Sequence, residues 1–115
     1  MKNKLNIAEM AQNEVIDIVK QFIRNLQKDG ITIKFAYLFG SFARNEESPD
    51  SDIDVLLVSD MFDTDDDYIL SKAWLPKYRN DFRIEPVSVG TKRFETDDVS
   101  PIIQIAREEG VRIQV

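Results

Sequence analysis

Two strand-like apolar runs, residues 31–39 and 53–58, flank a polar stretch whose two ends carry the most specific residues of the chain. Gly40-Ser41 closes the first run, and ten residues later Asp52-Ile53-Asp54 opens the second. Both runs are rich in β-branched and aromatic residues, which fit a pleated, half-buried surface. For the Gly-Ser turn and the aspartates to meet, the end of the first strand must lie beside the start of the second, so the two run antiparallel. A short helix after Ser41 and the loop Asn45-Glu46-Glu47-Ser48-Pro49-Asp50-Ser51, made of turn-forming residues, are expected to bring the chain back. Side chains alternate along a strand, so Asp52 and Asp54 project from one face.

Over residues 6–28 the apolar positions Ala8, Ala11, Val15, Val19, Phe22 and Leu26 recur at spacings of three and four, with Ile16 and Ile23 widening the stripe: an amphipathic helix. Asn6 with Glu9 reads as a capping box, Arg24 and Lys28 suit the negative end, and Asp29-Gly30 is the stop. A second helix is expected from about Thr64, its acids at the positive end and its course disturbed at Pro76. Residues 83–89 read as a third strand with Arg83, Glu85, Val87 and Val89 on one face; Pro86 within it implies an edge, a bulge or an N–H that no neighbour needs. Ser100-Pro101 opens a helix that Gly110 ends, and residues 111–115 alternate as a half-exposed strand. Trp74, Tyr78 and Phe82 are assigned to core packing rather than to stacking on a base. The chain as a whole is α/β (α+β), a single domain over residues 1–115.

Composition removes several chemistries. The chain has no histidine and no cysteine, so a Ser-His-Asp triad, a histidine zinc site and thiolate catalysis cannot be built from it. Carboxylates, hydroxyls, basic side chains and bound metal remain. A net charge of −6 argues against an extensive nucleic-acid surface, which clustered Lys and Arg normally supply. The basic residues Lys72, Lys77, Arg79, Arg83, Lys92 and Arg93 gather in the second half, and acids at 46–67. No apolar run approaches the roughly 18 residues of a membrane span, and the first residues carry no secretory apolar core, so a cytoplasmic location is expected.

The Gly-Ser turn offers unhindered backbone N–H groups to phosphate oxygens. Two carboxylates on one face, joined by a third from the next strand, for which Glu85 is the best placed, repel one another by about 4 kcal/mol per pair at 4 Å and an effective dielectric near 20. Such a set calls for a divalent cation. Hard oxygen donors select Mg²⁺ or Mn²⁺, and two such ions suit an in-line displacement at phosphorus. Arg44 stands equally for phosphate contact or for a surface ion pair with Glu46 or Glu47.

With these residues the chain resembles the minimal nucleotidyltransferases of the DNA polymerase β superfamily. Gly40-Ser41, ten residues and Asp52-Ile53-Asp54 match that family's signature, with Phe42-Ala43-Arg44 where it has a variable residue, Ala and a basic residue. The resemblance implies a small mixed sheet with helices packed mainly on one face. It implies that Gly40 and Ser41, with Arg44, hold the phosphates of ATP, that Asp52 and Asp54 bind two Mg²⁺ ions, and that Glu85 completes one metal site and helps to deprotonate the acceptor. Glu85 stands where the family more often has Asp, and Asn45 where Gly is common; Asn tolerates the left-handed conformation. Stand-alone members of this size resemble antitoxins that transfer AMP from ATP to a tyrosine of a small helical HEPN-type toxin. Two alternatives stay open: an antitoxin that acts by binding alone, and AMP transfer to a small-molecule alcohol in a pocket completed by a homo-oligomer. The final strand and an apolar flank of the long helix are the expected docking surfaces.

Overall fold

The computed structural model describes residues 4–48 and 50–115, with side chains described from residue 11 onward. Helix α1 spans Lys4–Lys28 and buries Val15, Val19, Phe22, Ile23 and Leu26, the stripe read from the sequence. It starts two residues before Asn6, whose place inside the helix rules out the expected cap; Lys4 and Leu5 are good helix formers and extend it. The stop is as expected. Gly30 adopts φ +83°, and the amides of Gly30 and Ile31 donate to the carbonyls of Gln27 and Leu26 at 3.0 and 3.1 Å, a Schellman closure.

Four strands follow: β1 Phe35–Phe39, β2 Ile53–Ser59, β3 Ile84–Gly90 and β4 Val111–Ile113. They form one sheet in the order β3-β2-β1-β4, with β1 antiparallel to both β2 and β4 and β2 parallel to β3. The expected strand over residues 31–39 contracts to β1 because its partner ends. Beyond Ser59 the chain turns into a 3-10 turn, Asp60–Phe62, capped by the Ser59 hydroxyl, which accepts from Met61 N. Ile31 and Ile33 remain buried but lie outside the ladder. The short helix expected after Ser41 is instead a series of turns over residues 41–45. Asn45, at φ +56°, cannot continue a right-handed helix and ends it; its left-handed conformation is the one the sequence allowed.

Parallel strands need a crossover, and residues 60–83 supply it. The expected helix from Thr64 is short: α2, Asp67–Ser71, is capped by the Asp66 carboxylate on Tyr68 N and passes into a 3-10 turn, Lys72–Trp74, before Pro76. The run of aspartates favours caps over helix interiors, which delays the start. Pro86 is accommodated because β3 is an edge strand. Ile53 N donates to Arg83 O at 2.8 Å, so odd residues of β3 face the ladder and the missing N–H of Pro86 faces outward.

Each face of the sheet carries a core. On one, α1 and the crossover bury Ala36, Leu38, Ile53, Val55, Leu57, Ala73, Tyr78 and Ile84. On the other, the shorter helices α3 Thr91–Thr96 and α4 Pro101–Glu109 cover Leu56, Val58 and Val89 through Phe94, Ile103 and Ala106. Most helical residues therefore lie on the α1 face, as expected. Helix α3 had no apolar periodicity to announce it. Helix α4 begins and ends at the expected residues, but Ser100 makes no side-chain cap; Asp97 Oδ1 accepts from Val99 N and Ser100 N, both at 2.9 Å.

Candidate active site

Alternation along β2 sends Asp54 to the same face as Leu56 and Val58, at the end of that face. On β3, Glu85 shares the face of Val87 and Val89, and Asp54 and Glu85 are register partners. Across β2's other edge, Asp54 is paired with Phe39, the last residue of β1 before the turn. The two halves of the sequence motif thus meet at one corner of the sheet. Their contact is direct: a Cβ added to Gly40 would stand 2.2 Å from Asp54 Oδ2, and Gly40 itself is at φ +74°. Position 40 therefore needs glycine twice over, for its backbone conformation and for the carboxylate lying against it.

Asp54 is half-buried, and its carboxyl is pushed up from 3.8 to about 6, first by desolvation, then by the charges of Glu85 and Asp52, with Arg44 opposing. Asp52 lies just before β2 and is exposed. Among the described residues no three carboxylates stand close enough to enclose a metal ion. Asp52, Asp54 and Glu85 are gathered along one rim, where Asp54 senses the charges of the other two, without forming a cage. The donor set nonetheless fits a hard divalent cation. Mg²⁺ commonly takes only one or two protein carboxylates and fills its octahedron with water and substrate phosphates, and a cation at Asp54 would offset the charges of Glu85 and Asp52 that add to desolvation in raising its pKa.

Arg44 makes one of the two ion pairs that the sequence allowed, with Glu46, and another that it did not. Its guanidinium meets Glu46 at 3.1 Å and Glu109, at the end of α4, at 3.3 Å. These are exposed, solvent-screened contacts of the weak kind, so they hold the side chain near Asp54 without locking it away from an anion. Two supporting residues escaped the sequence reading. Glu109 is one; the other is Gln12 of α1, whose Nε2 donates to Phe42 O at 3.1 Å and ties the turn to the helix. Neither is marked by periodicity or spacing, since each acts across thirty residues of chain or more.

The aromatic trio divides. Tyr78 is core, 2% exposed, with its hydroxyl donating to Asp29 Oδ2 at 2.8 Å. Trp74 is only half-covered, with the Arg79 guanidinium 5.1 Å from its ring. Phe82 is 87% exposed, so its assignment to the core is corrected: it lies in the turn that precedes β3. Of the acidic run, Asp66 caps α2, and Asp63 accepts from Lys92 N at the start of α3.

A parallel pair of strands whose register partners Asp54 and Glu85 both carry carboxylates, next to a glycine turn on the antiparallel neighbour, places the chain among small α/β domains with oxygen donors and a backbone turn at one corner of the sheet. The fold is shared with a candidate nucleotidyltransferase from Sulfolobus solfataricus, solved at 1.40 Å resolution, with a TM-score of 0.67 and 16% identity over 96% of this chain and 87% of that one. No curated protein matches the chain. The chain belongs to the nucleotidyltransferase domain family, whose model it matches over residues 16–113, a span that holds Gly40, Ser41, Arg44, Asp52, Asp54 and Glu85.

Proposed function

We propose that this chain transfers AMP from ATP to a hydroxyl, and that the acceptor is a side chain of a partner protein. One observation carries the reading: Asp54, the register partner of Glu85, lies against Gly40, so an anion-accepting turn and the carboxylates share one corner. In the reaction the acceptor oxygen bonds to the α-phosphorus, the bond from that phosphorus to the leaving oxygen breaks, pyrophosphate departs, and the hydroxyl proton passes to Glu85 or solvent. Gly40 and Ser41 receive the leaving phosphates, Arg44 exchanges a glutamate for a phosphate oxygen, and Glu85 faces the incoming hydroxyl. Asp52 and Asp54, helped by Glu85, would hold Mg²⁺ or Mn²⁺, which would supply charge neutralisation and lower the acceptor's pKa.

The resemblance to small antitoxins favours a tyrosine of a HEPN-type partner as acceptor. The small surface around the corner supports a macromolecular acceptor over a free alcohol, which would need an enclosing pocket. The open arrangement of the carboxylates favours one competing reading, an antitoxin that neutralises by contact. Incubation of the chain and its partner with ATP and Mg²⁺ separates the two. Transfer adds the mass of AMP to the partner, and Asp52→Asn with Asp54→Asn abolishes the addition while leaving the complex intact. Neutralisation that survives the double substitution undiminished overturns the enzymatic reading.

A further inference from the structure

A cleft of about 330 Å³ opens between α1 and the loop that follows the Gly40-Ser41 turn, and the proposed reaction leaves it unused. Its apolar wall is a stripe of α1, Ala11, Val15 and Ile18, together with the Phe42 side chain. Val15 and Phe42 belong to the core between α1 and the sheet, whereas strand alternation puts Asp54 on the opposite face. The cleft is therefore separate from the corner that holds Asp54 and Glu85. Its loop wall is braced: Glu46 N donates to Ser41 O at 2.9 Å, Gln12 Nε2 to Phe42 O at 3.1 Å, and Ser48 N to Ser51 Oγ at 2.8 Å.

The charged groups that line this cleft are unequally satisfied. Arg83 is committed: its Nε and Nη2 donate to the two oxygens of Asp81 at 3.1 and 2.9 Å, and its guanidinium lies 5.8 Å from the centre of the Phe42 ring. Glu47 is not. Its Oε2 is, among the described residues, the one buried side-chain nitrogen or oxygen without a hydrogen-bond partner. A buried acceptor left in that state carries its full desolvation penalty. Glu14 lines the same cleft and adds a second negative charge. The unmet demand is for N–H donors that bring positive charge, set beside an apolar wall. The volume lies at the lower end of small-molecule sites, room for about five to ten non-hydrogen atoms.

We infer that this cleft binds a small organic cation, a primary ammonium on a short alkyl chain. The chain lies along Ala11, Val15 and Ile18, and the ammonium donates to Glu47 Oε2. The inference is independent of the transfer reading, and its test uses no nucleotide. The probes are n-butylammonium, 1-butanol and butyrate, titrated by NMR into the full chain at pH 7 and constant ionic strength. Butylammonium is expected to bind about tenfold tighter than 1-butanol, the worth of one charge-assisted hydrogen bond to a buried carboxylate. It should move the signals of Ala11, Val15, Ile18 and Ser48. Butyrate, with the same chain length and the opposite charge, binds more weakly than either. Glu47→Gln removes the preference for the cation while 1-butanol still binds. Ala11→Leu, which fills the cleft with a good helix former, removes binding of both. The two variants keep the melting temperature of the unsubstituted chain, which separates lost binding from lost folding. Equal binding of butylammonium and 1-butanol, or signal changes confined to the acidic residues 60–67, overturns the inference. So does a preference that survives Glu47→Gln, which assigns it to the net charge of −6 alone, and so does displacement of butylammonium by equimolar K⁺. N-acetyl-lysine methylamide, which carries the same ammonium on a larger body, is expected to bind more weakly; tighter binding overturns the free amine in favour of a partner's lysine.

Discussion

Asp54, a metal ligand in the proposed reaction, works against the stability of the fold on its own. Its carboxyl is pushed up to about 6 from 3.8, so between those values the folded chain holds a proton that the unfolded chain has released. Stability therefore falls as pH rises through that window and stays reduced above it. The full shift overstates the cost at a half-open site, and roughly 1–2 kcal/mol remains after solvent screening. Asp54→Asn should thus raise the melting temperature of the metal-free chain at pH 7, with the gain vanishing below pH 4, while AMP transfer is lost. Thermal melts at the two pH values check this; a loss of stability at pH 7 contradicts the electrostatic account. Gly40 and Gly30 form a second residue-scale comparison. Both have positive φ, +74° and +83°, but a Cβ at Gly30 meets nothing within 4 Å, whereas one at Gly40 meets Asp54. Alanine should cost each position about 1–2 kcal/mol in backbone strain. Only Gly40→Ala should also displace Asp54 and weaken Mg·ATP binding, at least tenfold by calorimetry if one charge-assisted contact is lost.

At the scale of elements, β3 is held in place by the turn before it. The Asp81 carboxyl lies below its ordinary 3.8, chiefly through its hydrogen bonds with the Arg83 side chain. A depressed carboxyl stabilises the fold above its unfolded pKa and loses that contribution as pH falls through the folded value. Asp81→Asn should cost about 1 kcal/mol at pH 7, with its denaturation curve converging on the unsubstituted one well below pH 3.8. An undiminished difference in acid would place the effect in packing instead. The elements readable from sequence are those with a local signature. α1 shows an apolar stripe from Val15 to Leu26, β2 an unbroken buried run, and α4 a proline at its start and Gly110 at its end. What escaped depends on distant partners. β1 loses residues 31–34 because β2 turns away at Asp60; the helix after Ser41 gives way at Asn45; and α3, with Phe94 as its buried anchor, has too few apolar residues to show a period. The site followed the same division. The ten-residue spacing carried Gly40 to Asp54, and strand alternation carried Glu85, but the ties from Gln12 and Glu109 to the turn join parts of the chain that no local pattern connects.

For the whole molecule, charge and nucleotide must be reconciled. The chain carries a net −6, and the corner that would receive a triphosphate holds Asp52, Asp54 and Glu85 on one rim. Free ATP brings further negative charge to that corner and meets repulsion from both the local carboxylates and the overall field. A divalent cation would reverse the local sign and offset the charges of Glu85 and Asp52 that, after desolvation, raise the Asp54 pKa. ATP alone should therefore leave the unfolding temperature unchanged, and Mg²⁺ alone should raise it little, because the carboxylates do not form a closed cage. The two together should stabilise strongly. At a Mg·ATP concentration 100 times its dissociation constant, ligand linkage contributes about 2.7 kcal/mol, which for a domain near this size is a rise of about 10 °C. Raising the ionic strength should weaken the repulsion of free ATP without abolishing Mg·ATP binding, the opposite of the steep salt loss shown by a nucleic-acid surface. Differential scanning fluorimetry with ATP, Mg²⁺, both, and both plus excess chelator distinguishes the cases. A shift with ATP that persists in chelator would mean that the turn and Arg44 bind the phosphates unaided, and that the carboxylate rim serves something other than a metal-borne triphosphate.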